Sequence, residues 1–172
     1  MNAKKILVPV SLTEGSGAAL AVASALAQDL AATVVLLHVV LDEAAEEKSR
    51  AEKKLWQLAA KTQPHAPVEC VVCAGVPANK IVEKNDELHA EAIVMSSHGN
   101  CGWLNWLHRQ TARNVLRQVS CPVWVIFPGP AGKIPTLSLF PNREARENFP
   151  QAGRSAKLFP FPASVRVLMP QG

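Results

Sequence analysis

Along most of the chain, short unbroken apolar runs alternate with stretches of helical period. Ile6-Leu-Val-Pro-Val10 is the first run and Thr33-Val-Val-Leu-Leu-His-Val-Val40 the second. Val68 to Cys73, Ala92 to Met95 and Val123 to Phe127 follow. Each is rich in β-branched residues and only four to eight residues long, as expected of strands buried on both faces of a parallel sheet. Pro9 lacks a ladder donor, which a strand tolerates near its carboxyl end, where pairing stops.

The intervening stretches predict four helices. From Ala18 to Leu30 the chain is alanine-rich, and Leu20, Ala23, Ala27 and Leu30 lie near one helical face. The second helix is predicted from Glu43 to about Lys61, capped by Asp42. Its acidic start (Glu43, Glu46, Glu47) and basic middle (Lys48, Arg50, Lys53, Lys54) suit the helix dipole. Ala51, Leu55, Leu58 and Ala59 form its inner face, and Pro64 and Pro67 end it. Gly75-Val-Pro77 opens a third helix, running to about Glu87, with proline in its first turn. In the fourth, Ala112, Val115, Leu116 and Val119 keep the i, i+3, i+4, i+7 spacing.

The order β-α-β-α-β-α-β-α-β implies a mostly parallel five-stranded sheet with helices on both faces and right-handed crossovers. If the winding reverses once, the strand order is 3-2-1-4-5, and a crevice opens at the carboxyl ends of strands 1 and 4. Two polar segments flank it, Ser11 to Ser16 and Ser96 to Gly102. The second hands a strand to a helix, where unpaired N–H groups and the positive end of a helix dipole suit an anion.

Composition changes after Phe127. Residues 128–172 hold eight of the 13 prolines and four of the five phenylalanines, with no sustained period. They read as a Pro-rich, mostly disordered tail following a folded domain of residues 1–127. Charge sharpens that boundary. The net charge is +4; residues 1–127 carry 12 basic and 12 acidic side chains, whereas the tail carries six basic residues against Glu144 and Glu147. The main domain thus has no electrostatic case for nucleic acid. No apolar run reaches the ~18–20 residues of a membrane span, and the amino-terminal run has no cleavage-site pattern. These features lead us to expect a cytoplasmic protein.

Cys70 and Cys73 form C-x-x-C within a predicted strand, where residues three apart face opposite ways, so they do not form a chelating or redox pair. His98, Cys101 and His108 are soft ligand types, but no second ligand pair has metal spacing, and we expect no metal. Ser96, Ser97 and His98 offer a nucleophile and a base with no carboxylate to orient them, so no catalytic set is assigned. His38, within an apolar strand, is expected to be a satisfied core residue.

Several segments together resemble the universal stress protein family over residues 4–127. They are Lys5-Ile-Leu-Val-Pro-Val10, Leu36-Leu-His-Val-Val40, Gly75-Val-Pro77, Ile93-Val-Met-Ser-Ser-His-Gly99, and Val115-Leu-Arg117 with Cys121-Pro-Val123. Nucleotide-binding members of that family carry G-x-x-G, nine residues, then Gly-Ser or Gly-Thr. Here the matching positions are Ser96, Gly99 and Arg109-Gln110, and a customary aspartate after the first strand is Ser11. The resemblance implies a nucleotide site, if retained, at Pro9, Val10, Ser11, Val39, Met95, Ser96, His98, Gly99, Arg109, Gln110 and Thr111. Glycines there let backbone N–H groups approach phosphate oxygens. Arg109 either plugs that channel or reaches into it as a cationic ligand.

Two readings stay open. One is a stress-response protein working through dimerisation and protein partners, with weak or lost nucleotide binding. The other is an ATP-binding switch, using Mg²⁺, with slow or no hydrolysis. Topology makes 123–127 an edge strand that is apolar and has no charged guard. The family it resembles commonly pairs the last strands of two subunits about a two-fold axis, and that resemblance implies a homodimer through residues 122–127, with Trp124 or its neighbours in the contact; the alternative is that the tail folds back over that edge.

Overall fold

The computed structural model describes residues 3–12, 16–62, 65–96, 104–127, 136–140 and 166–168, and for 104–109, 127, 136–140 and 166–168 it describes the backbone path. Five parallel strands form the centre: β1 (Lys5–Pro9), β2 (Thr33–Val40), β3 (Val68–Ala74), β4 (Ala92–Ser96) and β5 (Val123–Phe127). They lie in the order 3-2-1-4-5. Between them run α1 (Ser16–Leu30), α2 (Ala45–Thr62), α3 (Pro77–Leu88) and α4 (Leu104–Gln118).

The apolar runs supply two cores at once because successive strand residues face opposite ways. Ile6, Val8, Val34, Leu36, Val94, Trp124 and Ile126 point to the side covered by α1 and α2. Leu7, Val35, Leu37, Ile93, Met95, Val123 and Val125 point to the side of Ile81 on α3, Val115 on α4 and Val119 just past the end of α4. All these residues are buried. The predicted helix faces are the ones that pack: Leu20, Ala23 and Ala27 on α1, Ala51, Leu55 and Ala59 on α2, with Leu30 and Leu58 partly buried beside them.

Local chemistry sets the helix ends. Asp42 does not cap α2 directly: its Oδ1 accepts from the N–H of Glu43 at 2.7 Å, and the helix begins at Ala45. Gly75 has φ 134°, a conformation that L side chains rarely adopt, and its N–H donates to Val40 O at 2.9 Å as the chain enters α3. At the end of α1, Ala31 sits at φ 51°. Ala32 N–H bonds Ala27 O at 2.8 Å and Ala31 N–H bonds Gln28 O at 3.3 Å, a left-handed cap made without glycine. Ala31→Gly is therefore expected to raise stability by about 1 kcal/mol, since left-handed backbone costs a non-glycine residue roughly that much. A midpoint in urea unfolding that stays put or falls would contradict this.

The sheet does not stop at β5. Strand β6 (Thr136–Phe140) pairs antiparallel with β5 over five positions, from Val123–Phe140 to Phe127–Thr136. Strand β7 (Arg166–Leu168) then pairs parallel with β6. One expectation is corrected: β5 is not an edge strand, because residues 136–140 take up its outer hydrogen-bonding side, the alternative of a tail folded back over that edge. Composition hid this, since Thr136-Leu-Ser-Leu-Phe140 is a five-residue alternating segment embedded among prolines and charges. Trp124 packs inward against the α1 and α2 side, 7 % exposed.

Candidate functional site

Strands β1 and β4 pair at Ile6–Ala92 and Leu7–Ile93, and their register ends there. On either side the ladders run further, to Pro9–Leu37 between β1 and β2 and to Ser96–Ile126 between β4 and β5. The carboxyl halves of β1 and β4 thus part at the point where the winding reverses, which is where open α/β sheets place their ligands. Pro9 fits this position, having no N–H to leave unpaired.

The side chains around that opening are apolar on one face. By strand alternation Pro9 shares the side of Leu7. Val39 and Met95 pack into the cluster on that side, Val39 half-buried and Met95 6 % exposed. Pro9, Val39 and Met95 come from β1, β2 and β4, three adjacent strands, and form an apolar floor at the carboxyl end of the sheet. Val10 faces the opposite core and is 6 % exposed.

His38 holds the floor in register. Val10 N–H donates to Leu37 O at 2.9 Å, and Val10 O lies 2.8 Å from His38 Nδ1. A carbonyl only accepts, so His38 Nδ1–H is the donor of this bond. The half-buried His38 is a satisfied residue of the sheet, as expected from the sequence. Its imidazole ties Val10, the residue just past β1, to β2 where the ladder runs out.

The polar side of the crevice is less populated by described residues. Ser11 and Ser96 are half-buried at the ends of β1 and β4. Leu12 follows with φ 58°, so the chain turns sharply towards α1. The expected phosphate-loop residues His98 and Gly99 lie outside the described residues, as do Ser97 and Cys101. Arg109, Gln110 and Thr111 are placed by their backbone. Helix α4 begins at Leu104, so Arg109 is its sixth residue. Only the first four N–H groups of a helix lack an intrahelical acceptor. The backbone donors of 109–111 therefore belong to the helix ladder, and what these positions offer is side chains. Gln110 is exposed and Thr111 half-buried.

Cys70 and Cys73 separate as strand alternation requires, Cys70 against the α1 and α2 side and Cys73 against the α3 and α4 side. Burial is the main cause raising both thiol pKa values; Glu52 adds to it at Cys70, while Lys80 opposes it at Cys73. A raised thiol pKa leaves less thiolate to react. Both thiols should alkylate more slowly at pH 8 than a free cysteine peptide, as peptide-resolved iodoacetamide labelling would read. A thiol acid held protonated by folding stabilises the native state below the ordinary value of 9.0 and loses that contribution as pH rises from there through the raised native value. Labelling of either cysteine at the peptide rate would contradict this placement. Among the described residues no group of three His, Cys, Asp or Glu is placed to hold a metal ion.

A doubly wound parallel sheet that parts at the β1–β4 switch point, with an apolar floor there, defines an open α/β protein of the kind that places ligands at that point. The sequence profile of the universal stress protein family matches residues 2–126, and the chain belongs to that family. A comparison with curated proteins finds no match. Solved structures share the fold. Hypothetical protein MJ0577 is 24% identical, with a TM-score of 0.62 over 76% of this chain and 100% of its own. The universal stress protein from Archaeoglobus fulgidus in complex with dAMP is 22% identical, with a TM-score of 0.60 over 72% of this chain and 97% of its own. A universal stress protein in complex with cAMP is 15% identical, with a TM-score of 0.57 over 73% of this chain and 97% of its own. No helix among the described residues is long and apolar enough to cross a membrane.

Proposed function

We propose that this chain is a cytoplasmic universal-stress-type protein that acts in stress response through self-association and protein partners, with weakened nucleotide binding at the β1–β4 crevice. The apolar floor of Pro9, Val39 and Met95 suits the flat face of a purine, and relatives of this fold are known with dAMP and cAMP bound. What argues for weakening is the position of residues 109–111. They fall in the second turn of α4, where their N–H groups are committed to the helix, and two of them carry long side chains where the family pattern has Gly and Ser or Thr.

A competing reading, an ATP-dependent switch in which Arg109 supplies cationic contacts to the phosphates, draws on those same nucleotide-bound relatives. Calorimetric titration with ATP and Mg²⁺ separates the two. Weakened binding predicts a dissociation constant above about 100 μM, corresponding to less than roughly 5.5 kcal/mol. Micromolar affinity that disappears in Arg109→Ala would establish the switch instead.

A further inference from the structure

We infer that the outward face of α2 is a self-complementary docking surface for a second, antiparallel copy of this chain, with Trp56 of each copy filling a depression on the other. This rests on the self-association in the proposed function and gives it a surface, since β6 already takes up the outer side of β5.

The helical repeat dictates the face. α2 turns Ala51, Leu55 and Ala59 into the core, which leaves its opposite side to solvent. Trp56 stands outside that core and is 55 % exposed. Tryptophan offers one of the largest apolar surfaces a side chain can bury, and it is enriched at the centres of interfaces. Towards the amino-terminal end, the same helix lines an open depression of about 500 Å³ with Ala45, Glu46, Ser49, Arg50 and Lys53, all exposed. Ala45 and Ser49 are small, so the depression has room for an indole ring.

Charge sets the orientation and the occupant. Glu46 and Lys53 are two turns apart on the walls of the depression, and Ser49 and Trp56 are two turns apart beside them. A two-fold axis near the level of Ala51 exchanges the ends of the helix. It lays Trp56 of one copy near Ser49 of the other, and Lys53 of one near Glu46 of the other. Two opposite-charge pairs then form symmetrically, and antiparallel helix dipoles favour the same arrangement. Among the described residues no ion pair engages Glu46, Arg50 or Lys53. The Arg50 guanidinium borders the depression and supplies a cation for the face of the incoming indole. Glu46 repels a phosphate chain, which disfavours nucleic acid as the occupant. α2 has 18 residues and is about 27 Å long. Two helices of that length stay near the ~1,000 Å² at which specific interfaces begin, so the dimer is of the transient class.

The test is sedimentation equilibrium of the full-length chain and three exposed-position variants. From about 10 μM to about 1 mM, the parent is expected to pass from monomer to dimer with a dissociation constant on the order of 100 μM. Trp56→Ala should weaken the dimer about 30-fold or more, as loss of a central aromatic anchor does. Lys53→Glu sets like charges against each other across the axis and should weaken it about 10-fold. Glu46→Lys/Lys53→Glu exchanges the two charges, restores both pairs and should return to within about threefold of the parent. A Trp56→Ala dimer as tight as the parent's, or a charge exchange no tighter than Lys53→Glu, overturns the α2 surface while leaving self-association itself standing. A parent that stays monomeric throughout overturns both.

Discussion

Arg109→Gly/Gln110→Ser should bind ATP with Mg²⁺ at least about 10-fold more tightly than the parent chain, a gain of roughly 1.4 kcal/mol. Two physical effects act together. Glycine within a helix costs about 1 kcal/mol relative to alanine, so the substitution loosens the first turns of α4, which in the parent run unbroken from Leu104. The N–H groups of 109–111 then become available as donors instead of serving the helix ladder. Loss of the arginine side chain also clears the approach that a phosphate needs, since only a residue without Cβ lets the backbone come close. Charge opposes this, because a guanidinium removed from beside a triphosphate forfeits attraction. The sign of the change therefore discriminates. Tighter binding in the double variant identifies Arg109 as a plug, and weaker binding identifies it as a ligand. The single variant Gln110→Ser leaves Arg109 in place and is expected to show little of the gain.

Leu36→Ala should cost about 3 kcal/mol, the middle of the range for truncating a fully buried leucine. Leu36 is 0 % exposed. It lies on β2, paired with Val8 of β1 and Cys70 of β3. On the α1 and α2 side it belongs to the cluster that contains Leu20, Leu26 and Leu55. Ladders on both sides hold its backbone, so the strand cannot move to fill the space, and most of the cavity should persist. Urea unfolding would show a midpoint shift at constant slope. Trp56→Ala is the matched control. Trp56 is larger but 55 % exposed on α2, and its loss should change stability by less than about 0.5 kcal/mol. A Leu36→Ala cost below about 1 kcal/mol would mean that the two-sided core packs more loosely than these burials indicate.

Period and composition alone determined the order of elements, the span of β2 and β5, and the inner faces of α1, α2 and α4; the strand order 3-2-1-4-5 followed only on the added condition that the winding reverses once. They could do so because a parallel sheet covered on both sides leaves unbroken apolar runs, and amphipathic helices leave a 3.6-residue repeat, both of which are local signals. The opposite facing of Cys70 and Cys73 and the satisfied state of His38 were legible for the same reason. Strand alternation is a property of the chain itself, although the acceptor that His38 finds, Val10 O on β1, is not. The floor of Pro9, Val39 and Met95 lay half in reach. The family resemblance named the residues, but only the parting of β1 from β4 after Leu7–Ile93 brings them to one opening. The placement of 109–111 inside α4 turns on where the helix starts, and helix ends are set by capping contacts that a repeat does not encode. The fate of β5 depended most on tertiary structure. A five-residue segment in a Pro-rich tail carries too little local signal to declare itself a strand, and it becomes one by pairing with an apolar edge that already needs its hydrogen bonds satisfied.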